Sequence, residues 1–537
     1  MQQALRVDEL LCHIFTQIED YQTLFYLAYT CQAFKEPAVD ALYSQLNGFG
    51  PLIKCLPRDL WVVTLGDTFK TITLVRPMNP NDWKIFRSYA CRVRKLVHSS
   101  VVTTEVVSEG ILDALLNPPV PTDILFPKLK SLDWCDSRIE TTKFFRLLSG
   151  APVAHISVAA LKPNSYTPDC SPCLQLPCIQ SLVLTTSSTA VASYLVCQAQ
   201  TLRGLYCYSL TEDAMLHIAS LPSLRTLEMV DVKKDSLKLM HQKGPDASIF
   251  QNLRSIAIQS DYPPDCLSFI QACQQKQLMP LTNFYMGTNK HLEDESSAIL
   301  IYPLEALSSI CMGSTLLSIT IKEVSYGNAH SPSNLDILSH LFVFCNLVDL
   351  YLDVRNSFNL DDDDIKIMAR AWPHLRNIRL RCDLRNEKQI SLNGVHSLLE
   401  YCPNLRTLDI AIDVTLGLFD LFKRRNRCRN LQIRCIVCHE SHVENPFQVA
   451  AIVSDILPNV GTIVTCSRTM IPRLKKHQRR WRETLELLAF FALARKQERI
   501  RCGYPDDEDM FDPISDFYLS SQPIPLSDDD DVDDELQ

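Results

Sequence analysis

A short phrase of apolar and polar positions recurs along the chain. It reads apolar-x-x-apolar-x-apolar, and its first clear copy is Leu129-Lys130-Ser131-Leu132-Asp133-Trp134. The last three positions have a period of two, which predicts a short β-strand with two side chains pointing into a core. Further copies begin at Val153, Ile179, Leu202, Leu224, Leu253, Leu281, Leu316, Leu347, Leu375 and Leu405, and weaker ones span Val93–His98, Cys428–Ile433 and Val460–Thr465.

The clear copies follow one another at intervals of 22 to 35 residues. Helical patterns occupy the intervals, such as Asp361–Ala371, whose acidic start suits the positive end of a helix, and Ser391–Tyr401. One such strand and helix cannot bury their apolar faces alone, so the copies must stack on one another. The interval is close to that of leucine-rich repeats or somewhat longer. We therefore expect an α/β repeat fold, a leucine-rich-repeat horseshoe (solenoid), over residues 91–470.

The first 46 residues predict three short amphipathic helices. Their apolar residues at helical spacing are Leu10, Leu11, Ile14, Phe15 and Ile18, then Leu24, Leu27, Ala28 and Cys31, and then Ala38, Ala41, Leu42 and Leu46. Asp8 can cap the first helix, and Pro37 suits the first turn of the third. Three helices of this size need a further surface to cover their apolar faces. The pattern alone fits either a module that docks on a partner or a cap that closes the end of the repeats.

The order of residues in this segment resembles the F-box of fungal, basidiomycete-type F-box and leucine-rich-repeat proteins. The matching stretches are Glu9-Leu10-Leu11-Cys12-His13-Ile14-Phe15, a spaced Leu24, Thr30-Cys31-Gln32-Ala33-Phe34 and Pro37-Ala38-Val39-Asp40-Ala41-Leu42-Tyr43. Two later stretches are similar to phrases of the same group, Leu56-Pro57-Arg58-Asp59-Leu60-Trp61 and Glu400-Tyr401-Cys402-Pro403-Asn404-Leu405-Arg406. The chain departs from the family pattern at Asp8 and Phe34, where Pro and Trp are usual.

The resemblance implies that residues 1–46 dock on the Skp adaptor of a cullin-RING (SCF) ubiquitin ligase. The residues on or beside the adaptor-facing surface would be Val7, Leu10, Leu11, Ile14, Leu24 and Leu42. The repeats would bind a client protein, and the chain would be a non-catalytic substrate-recognition subunit. The alternative is a leucine-rich-repeat scaffold that binds proteins and has no role in a ubiquitin ligase.

The residues that alternate with the core positions of each strand should lie on the open, concave face of the sheet. Tyr and Arg are enriched where protein interfaces concentrate their binding energy. We therefore predict a client-binding face formed by Tyr206, Tyr208, Glu228, Tyr285, Lys322, Tyr351, Asp353, Arg379, Arg381 and Asp409. In the alternative interpretation, Asp353 and Asp409 only neutralise Arg379 and Arg381 within the sheet.

The two ends of the repeat region differ in character from the repeats. Residues 47–90 are predicted as a linker, and residues 471–503 as a basic segment with a capping helix at Trp481–Arg501. We expect Leu485, Leu488 and Phe491 to share the apolar face of that helix, which Leu487 and Phe490 widen. Residues 504–537 are predicted to be a disordered acidic tail because they combine low hydrophobicity with runs of Asp.

The net charge of −9 is unevenly distributed. The last 36 residues contain 13 Asp and Glu and no Lys or Arg, so the first 501 residues carry the difference between −9 and −13, which is +4. A body so close to neutral gives no reason to expect nucleic acid or an anionic membrane as a partner. Basic groups at Lys423–Arg429 and Lys475–Arg482 are interpreted as solvated surface, with nuclear import or binding of the chain's own tail as alternatives.

The sequence shows no catalytic motif, and its 14 glycines include no phosphate-binding loop. Cys435-Ile436-Val437-Cys438-His439 matches the C-x-x-C-H spacing of covalent haem attachment, but we interpret Cys435–Val437 as ordinary core residues. Cys435, Cys438, His439 and His442 contain ligand types that suit zinc, but their spacing is tighter than in a standard finger. We interpret them as core and loop residues, and likewise Cys170, Cys173 and Cys178. The start of the chain lacks a signal-peptide pattern, and no apolar run approaches the ~18 residues of a membrane span. We therefore predict a non-enzymatic cytoplasmic or nuclear protein without metal or cofactor, in which the 21 cysteines are reduced.

Overall fold

The structure is a computed structural model with two compact units, Met1–Ser260 with Gln271–Met279, and Asp261–Ile270 with Pro280–Gln537. It describes residues 8–65, 70–99, 105–118, 124–135, 147–148, 150–159, 178–186, 188–242, 249–288, 301–323, 334–354, 358–381, 388–416, 428–438, 441–464 and 472–502. Each unit is described by itself below.

The first unit begins with three helices, α1 (Asp8–Phe15), α2 (Tyr21–Thr30) and α3 (Gln32–Ser44). The Asp20 carboxylate caps α2 by accepting hydrogen bonds from the backbone N–H groups of Gln22 and Thr23. Cys31 has an extended backbone, with φ −159° and ψ 165°, and separates α2 from α3. Pro37 therefore lies inside α3, not in its first turn as predicted, because the extended Cys31 lets the helix begin at Gln32.

A parallel sheet follows in the same unit. In spatial order, its strands are β1 (Gln45–Asn47), β4 (Lys95–Ser99), β6 (Ser131–Cys135), β7 (His155–Val158), β8 (Ser181–Leu184), β9 (Gly204–Cys207), β10 (Thr226–Met229) and β11 (Ser255–Ser260). Each strand pairs with its neighbours in this order, and all the pairs are parallel. From β6 to β11, strands that are consecutive along the chain lie side by side, which is the arrangement of stacked repeats.

The segment predicted as a linker, residues 47–90, contains regular structure. It includes α4 (Gly50–Lys54), β2 (Trp61–Leu65), β3 (Lys70–Leu74) and α5 (Pro80–Ala90). β3 pairs with β2 in antiparallel and with β5 (Glu105–Val107) in parallel fashion, forming a second, small sheet. Asn79 and Asp82 form a capping box at the start of α5, and Pro80 occupies the first helical position.

Helices connect the later strands of the first unit. The second unit consists of further helices and a second run of parallel strands. The connecting elements are α6 (Glu109–Leu116), α7 (Thr189–Gln198), α8 (Glu212–Ser220), a 3₁₀ turn at Lys234–Leu237 and α9 (Lys238–Gln242). After β11 comes α10 (Pro263–Ala272), most of which belongs to the second unit. The strands of the second unit, in spatial order, are β12 (Asn283–Thr288), β13 (Ser318–Glu323), β14 (Asp349–Asp353), β15 (Asn377–Leu380), β16 (Thr407–Ile410), β17 (Cys435–Val437) and β18 (Thr462–Val464). Its helices are α11 (Ile301–Ile310), α12 (Leu335–Ser339), α13 (Asp362–Ala371), α14 (Leu392–Tyr401), α15 (Pro446–Ile456) and α16 (Pro472–Arg501).

Every clear copy of the sequence phrase coincides with a strand, and its apolar positions are buried. Leu350 and Leu352 in β14 are both fully buried, and Ile378 and Leu380 occupy the same positions in β15. The weak copy predicted at Cys428–Ile433 is wrong, because the strand begins at Cys435. Each unit is thus an α/β structure that repeats a strand and its connection along a parallel sheet.

The predicted capping helix is present and is longer than predicted. Of its predicted apolar face, Leu488 is buried and Leu485 and Phe491 are partly buried. α16 begins at Pro472, nine residues before the predicted start. Trp481, Thr484, Leu488 and Ala492 are its buried side chains, whereas Phe490 is 71% exposed. No helix in the part of the chain that the structure describes combines the length and apolarity that a membrane crossing requires. The predicted acidic tail lies outside the described residues.

Candidate protein-docking surfaces

The three N-terminal helices enclose a small core of their own. Leu11, Phe15, Leu24, Ala38 and Ala41 form this core. Ile18, Leu27, Ala28, Phe34 and Leu42 are partly buried and pack against it. The rings of Phe15 and Phe34 meet edge to face with their centroids 5.4 Å apart, so Phe34 adds an aromatic contact to this core.

The same helices leave large apolar side chains in solvent. On α1, Leu10 and Ile14 are each 46% exposed, and their i,i+4 spacing places them on one face. We call Leu10 and Ile14 the α1 patch. On α2, Tyr21, Phe25, Tyr26 and Tyr29 are 50% to 77% exposed, and the Phe25 and Tyr29 rings lie 4.9 Å apart. Because single exposed apolar residues are common but groups of them mark interaction sites, these helices are candidates for docking.

The structure divides the predicted adaptor-facing residues into an outer and an inner group. Leu10 and Ile14 are exposed, and Leu42 is partly buried against the helical core. Leu11 and Leu24 lie inside that core, where a partner cannot reach them without displacing the helices. Val7 lies outside the described residues. The exposed aromatic residues of α2 were missed, because helical spacing assigned this helix only an inward-facing stripe.

α3 joins the helical core to the sheet of the first unit. Its last residue, Ser44, is followed directly by β1, which pairs with β4. The Tyr43 ring lies 4.7 Å from the Tyr89 ring, and Arg92 forms ion pairs with Glu36 at 2.7 Å and with Asp40. α3 therefore uses one side for the body of the unit, while the exposed patches belong to α1 and α2.

On the open sheet face of the first unit, Tyr206, Tyr208 and Glu228 come together as predicted. Tyr206 on β9 is the register partner of Glu228 on β10. Burial raises the pKa of Tyr206, and the nearby Tyr208 and Glu228 raise it further. Glu228 is exposed, and no cationic side chain in the described part of the chain lies within ion-pair distance of it. This face therefore offers aromatic surface beside a free carboxylate, which suits a cationic group on a partner.

A shallow depression of about 180 Å³ lies on this face, over β8 to β11. Its lining includes Ser181, Gly204, Tyr206, Thr226 and Glu228. A Cβ at position 204 would come within 2.8 Å of the Thr226 hydroxyl, so only glycine fits there without a shift. Because Ser181, Gly204 and Thr226 have small side chains or none, the sheet surface is recessed beside Tyr206.

On the second unit, the predicted face carries a row of charged and aromatic residues. Tyr351, Arg379 and Asp409 are register partners on β14, β15 and β16. The Arg379 Nε donates to the carboxylate of Asp409, which is 1% exposed. This is the ion pair of the alternative interpretation, so Arg379 is partly neutralised within the sheet.

The remaining predicted residues of the second unit surround this pair. Lys322 lies beside Asp353 in the register of β13 and β14, with its Nζ 5.9 Å from the centre of the Tyr285 ring. Arg381 donates to the backbone carbonyl of Val354 at 3.1 Å. Burial raises the pKa of Tyr351, so its hydroxyl stays protonated at neutral pH and can donate a hydrogen bond. The row is suited to polar contacts with a partner.

The buried cysteines and the proposed zinc ligands show no assembled reactive centre in the described part of the chain. Burial raises the pKa of the Cys207, Cys266, Cys311 and Cys402 thiols to about 12, so they are protonated at neutral pH. Among the described residues, no group of three His, Cys, Asp or Glu side chains could hold a metal ion. His439, Cys170 and Cys173 lie outside those residues, so the zinc alternative that includes His439 stays a hypothesis.

Comparison with models of known protein families found no match, and no curated protein in the set searched matches the chain. The candidate surfaces are therefore judged by their geometry alone.

Proposed function

We propose that the chain is the substrate-recognition subunit of an SCF-type cullin-RING ubiquitin ligase. In this proposal, the three N-terminal helices are an F-box that binds a Skp-type adaptor. The strands and connections that follow are leucine-rich repeats, and their open face holds a client protein. The chain carries out no bond chemistry itself, and its contribution is to bring the client close to the transferring subunit.

The observation that carries this proposal is the exposed apolar surface of α1 and α2. Their shared core is already formed by Leu11, Phe15 and Leu24, yet Leu10 and Ile14 remain 46% exposed. Apolar side chains left in solvent beside a completed core gain stability when a partner covers them. The resemblance of this segment to an F-box supports a Skp-type adaptor as that partner.

The open sheet faces support the second half of the proposal. Tyr206 and Glu228 of the first unit and Tyr351 and Arg379 of the second are residue types suited to protein contacts. Parallel strands place them in rows across neighbouring repeats, which gives an extended surface. A client bound there would be held by contacts from several repeats at once.

A repeat scaffold without a ligase connection is the second candidate, and one observation favours it. α3 runs directly into β1 and forms ion pairs with Arg92, as a cap on the end of the sheet would. A cap, however, uses only the side of the three N-terminal helices that α3 presents to the sheet. It does not explain why Leu10 and Ile14 are exposed. The two functions therefore differ in whether the α1 patch binds the adaptor.

The test is direct binding of a purified Skp-type adaptor to the full-length chain, measured by calorimetry. Leu10→Asp with Ile14→Asp should lower the affinity at least about tenfold, because each large apolar side chain contributes about 1.5–3 kcal/mol when fully buried. The matched control is Leu65→Asp with Val75→Asp, two exposed apolar residues outside the helices. All variants are compared by circular dichroism and urea midpoint to show that they fold.

Retained adaptor binding in the control variant and its loss in the α1-patch variant would support the proposal. If the wild-type chain does not bind the adaptor, or if the α1-patch variant binds as tightly as wild type, the scaffold function is the correct one. Leu11 is not used in this test because a charge in the helical core would unfold the module.

A further inference from the structure

Three arginines lie side by side at one edge of the sheet of the second unit. Arg376, Arg406 and Arg434 each stand one residue before a strand, namely β15, β16 and β17. The first residues of these strands are register partners, and the Arg406 N–H donates to the Arg376 carbonyl at 2.7 Å. Neighbouring strands are about 4.8 Å apart, so the three residues form a row at the amino ends of the strands. We call this row the arginine edge.

The charges of the arginine edge are not neutralised by the described part of the chain. All three side chains are exposed, and none has a carboxylate within ion-pair distance among the described residues. By contrast, Arg379 pairs with Asp409 on the sheet face, and Arg429 pairs with Asp455 at 2.8 Å. Three like charges held in a row favour the binding of an anionic group, which would relieve their repulsion.

The direction of α16 determines where the end of the chain begins. Near the start of α16, Arg480 donates to the Val443 carbonyl at 2.9 Å, just before α15. Further along, Arg495 donates to the Ala451 carbonyl at 2.7 Å and to the Ser454 hydroxyl at 3.1 Å, near the end of α15. α16 therefore runs beside α15 in the same direction.

The end of α15 lies at the arginine edge. α15 ends at Ile456, and after Leu457–Gly461 the chain enters β18. The Gly461 N–H donates to the Arg434 carbonyl at 3.0 Å, which places this connection beside the third arginine of the row. From Arg495, α16 continues for six residues, or about 9 Å, to Arg501. The acidic end of the chain therefore starts on the side of the unit where the arginine edge lies.

We propose that the chain's own acidic segment, residues 503–537, binds the arginine edge through the run from Asp528 to Glu535. That run contains seven acidic residues and no basic one. Guanidinium groups bind carboxylates through paired hydrogen bonds, so charge and geometry are both complementary. Because the segment belongs to the same chain, its effective concentration at a site within reach is on the order of 1 mM.

The basic group at Lys475–Arg482 is the rival acceptor, and the structure makes it less suitable. Arg482 and Arg501 are 19 residues apart on one helix, which separates them by about 28 Å. The acidic segment follows the far end of that helix, which lies on the side of the arginine edge. This binding does not depend on the adaptor contact proposed above, so either can fail without the other.

The test uses the full-length chain and a fluorescent peptide with the sequence of residues 526–537, and follows anisotropy at low salt. In the tail-neutral variant, Asp528, Asp529, Asp530, Asp531, Asp533 and Asp534 are replaced by Asn and Glu535 by Gln. This variant should bind the peptide at least about fivefold more tightly than wild type, because the native tail no longer competes. Raising the salt concentration from 50 to 300 mM should weaken that binding several-fold, because surface charges are screened.

Adding Arg376→Gln, Arg406→Gln and Arg434→Gln to the tail-neutral variant should abolish peptide binding. The matched control replaces Arg203, Arg225 and Arg254, which hold the same position before β9, β10 and β11 in the first unit, and should retain binding. A second control replaces the exposed Lys476, Arg479 and Arg482 and should also retain it. The proposal is overturned if either control set abolishes binding while the arginine-edge set does not, if no variant binds the peptide, or if wild type binds it as tightly as the tail-neutral variant.

Discussion

His477 is the titratable side chain through which pH can act on the closing helix. Its Nδ1 lies 3.1 Å from the Val443 nitrogen, from which the neutral ring can accept a hydrogen bond, and 3.2 Å from the Val443 carbonyl oxygen, to which a protonated Nδ1 can donate. Burial lowers the pKa of His477, and the His442 ring, 4.6 Å away, lowers it further, as do Arg480 and Lys476, whereas the hydrogen bond to Val443 opposes this shift. The folded chain therefore holds this histidine neutral where the unfolded chain already protonates it.

The sign of the pH effect follows from this difference. A histidine with a lowered folded pKa stabilises the fold fully above its ordinary pKa of about 6.5, and stability falls as the pH drops below that value. Urea midpoints at pH 7.5, 6.5 and 5.5 should therefore fall less steeply for His477→Asn, whose amide oxygen can accept the same bond. His374→Asn, at an exposed position of the same unit, should keep the wild-type slope. Equal slopes in all three proteins would exclude His477 as the responsible group.

At the scale of elements, the acidic run Asp361–Asp364 at the start of α13 makes contacts that link α13 to the following helix, α14. Asp361 and Asp364 form a capping box at the start of α13, and Lys388 pairs with both, at 3.0 and 2.8 Å. Asp362 reaches the next helix, where its carboxylate accepts from the Ser391 N–H at 2.7 Å and the Gly394 N–H at 3.0 Å. The run is therefore a link between neighbouring repeats as well as a favourable helix start.

Asp362→Ala should lower the free energy of unfolding by about 1–3 kcal/mol, because buried donors at the start of α14 lose their acceptor. Asp363→Ala is the control, since Asp363 is the exposed neighbour in the same turn and alanine favours the helix equally at both positions. The measurement is the urea midpoint of the transition that reports on the second unit. A loss of the same size in both variants would mean that Asp362 acts only through the helix dipole.

The strands were predictable and the helix faces were not, for a physical reason. Alternate residues of a strand lie on opposite faces of the sheet. Once Leu350 and Leu352 are assigned to the core, Tyr351 and its register neighbours must lie on the other face. In α1, the four apolar residues Leu10, Leu11, Ile14 and Phe15 form one continuous arc of about 140° around the helix, and periodicity cannot decide which pair turns inward. Leu11 and Phe15 enter the core, whereas Leu10 and Ile14 stay outside.

The arginine edge was missed because one repeat was placed five residues too early. Aligned on the true phrase, Ile433 to Cys438, Arg434 matches Arg376 and Arg406 of the two preceding repeats. With the predicted copy at Cys428–Ile433, Arg434 is not aligned with Arg376 and Arg406. Correct alignment of the repeats would have revealed the row, although not the direction of α16, which depends on contacts distant in sequence.

For the molecule as a whole, stacking of repeats makes stability a local property. A repeat contacts mainly its neighbours, so damage in one should spread over adjacent strands and fade further along the sheet. Each unit contains a fully buried tryptophan suited to test this. Trp134 stacks on His98 at 4.5 Å in the first unit, and Trp372 donates to the Leu341 carbonyl at 3.2 Å in the second.

Replacing either tryptophan by alanine should cost about 3–5 kcal/mol locally, because a large cavity is left in a packed core. Hydrogen exchange followed by mass spectrometry should show faster exchange in β14, β15 and α13 for Trp372→Ala, with β6 and β7 unchanged. Trp134→Ala should give the reverse pattern, and so each variant serves as the other's control. A uniform rise across both units in either variant would mean that the chain unfolds as one cooperative body, and nearest-neighbour stacking would not describe its stability.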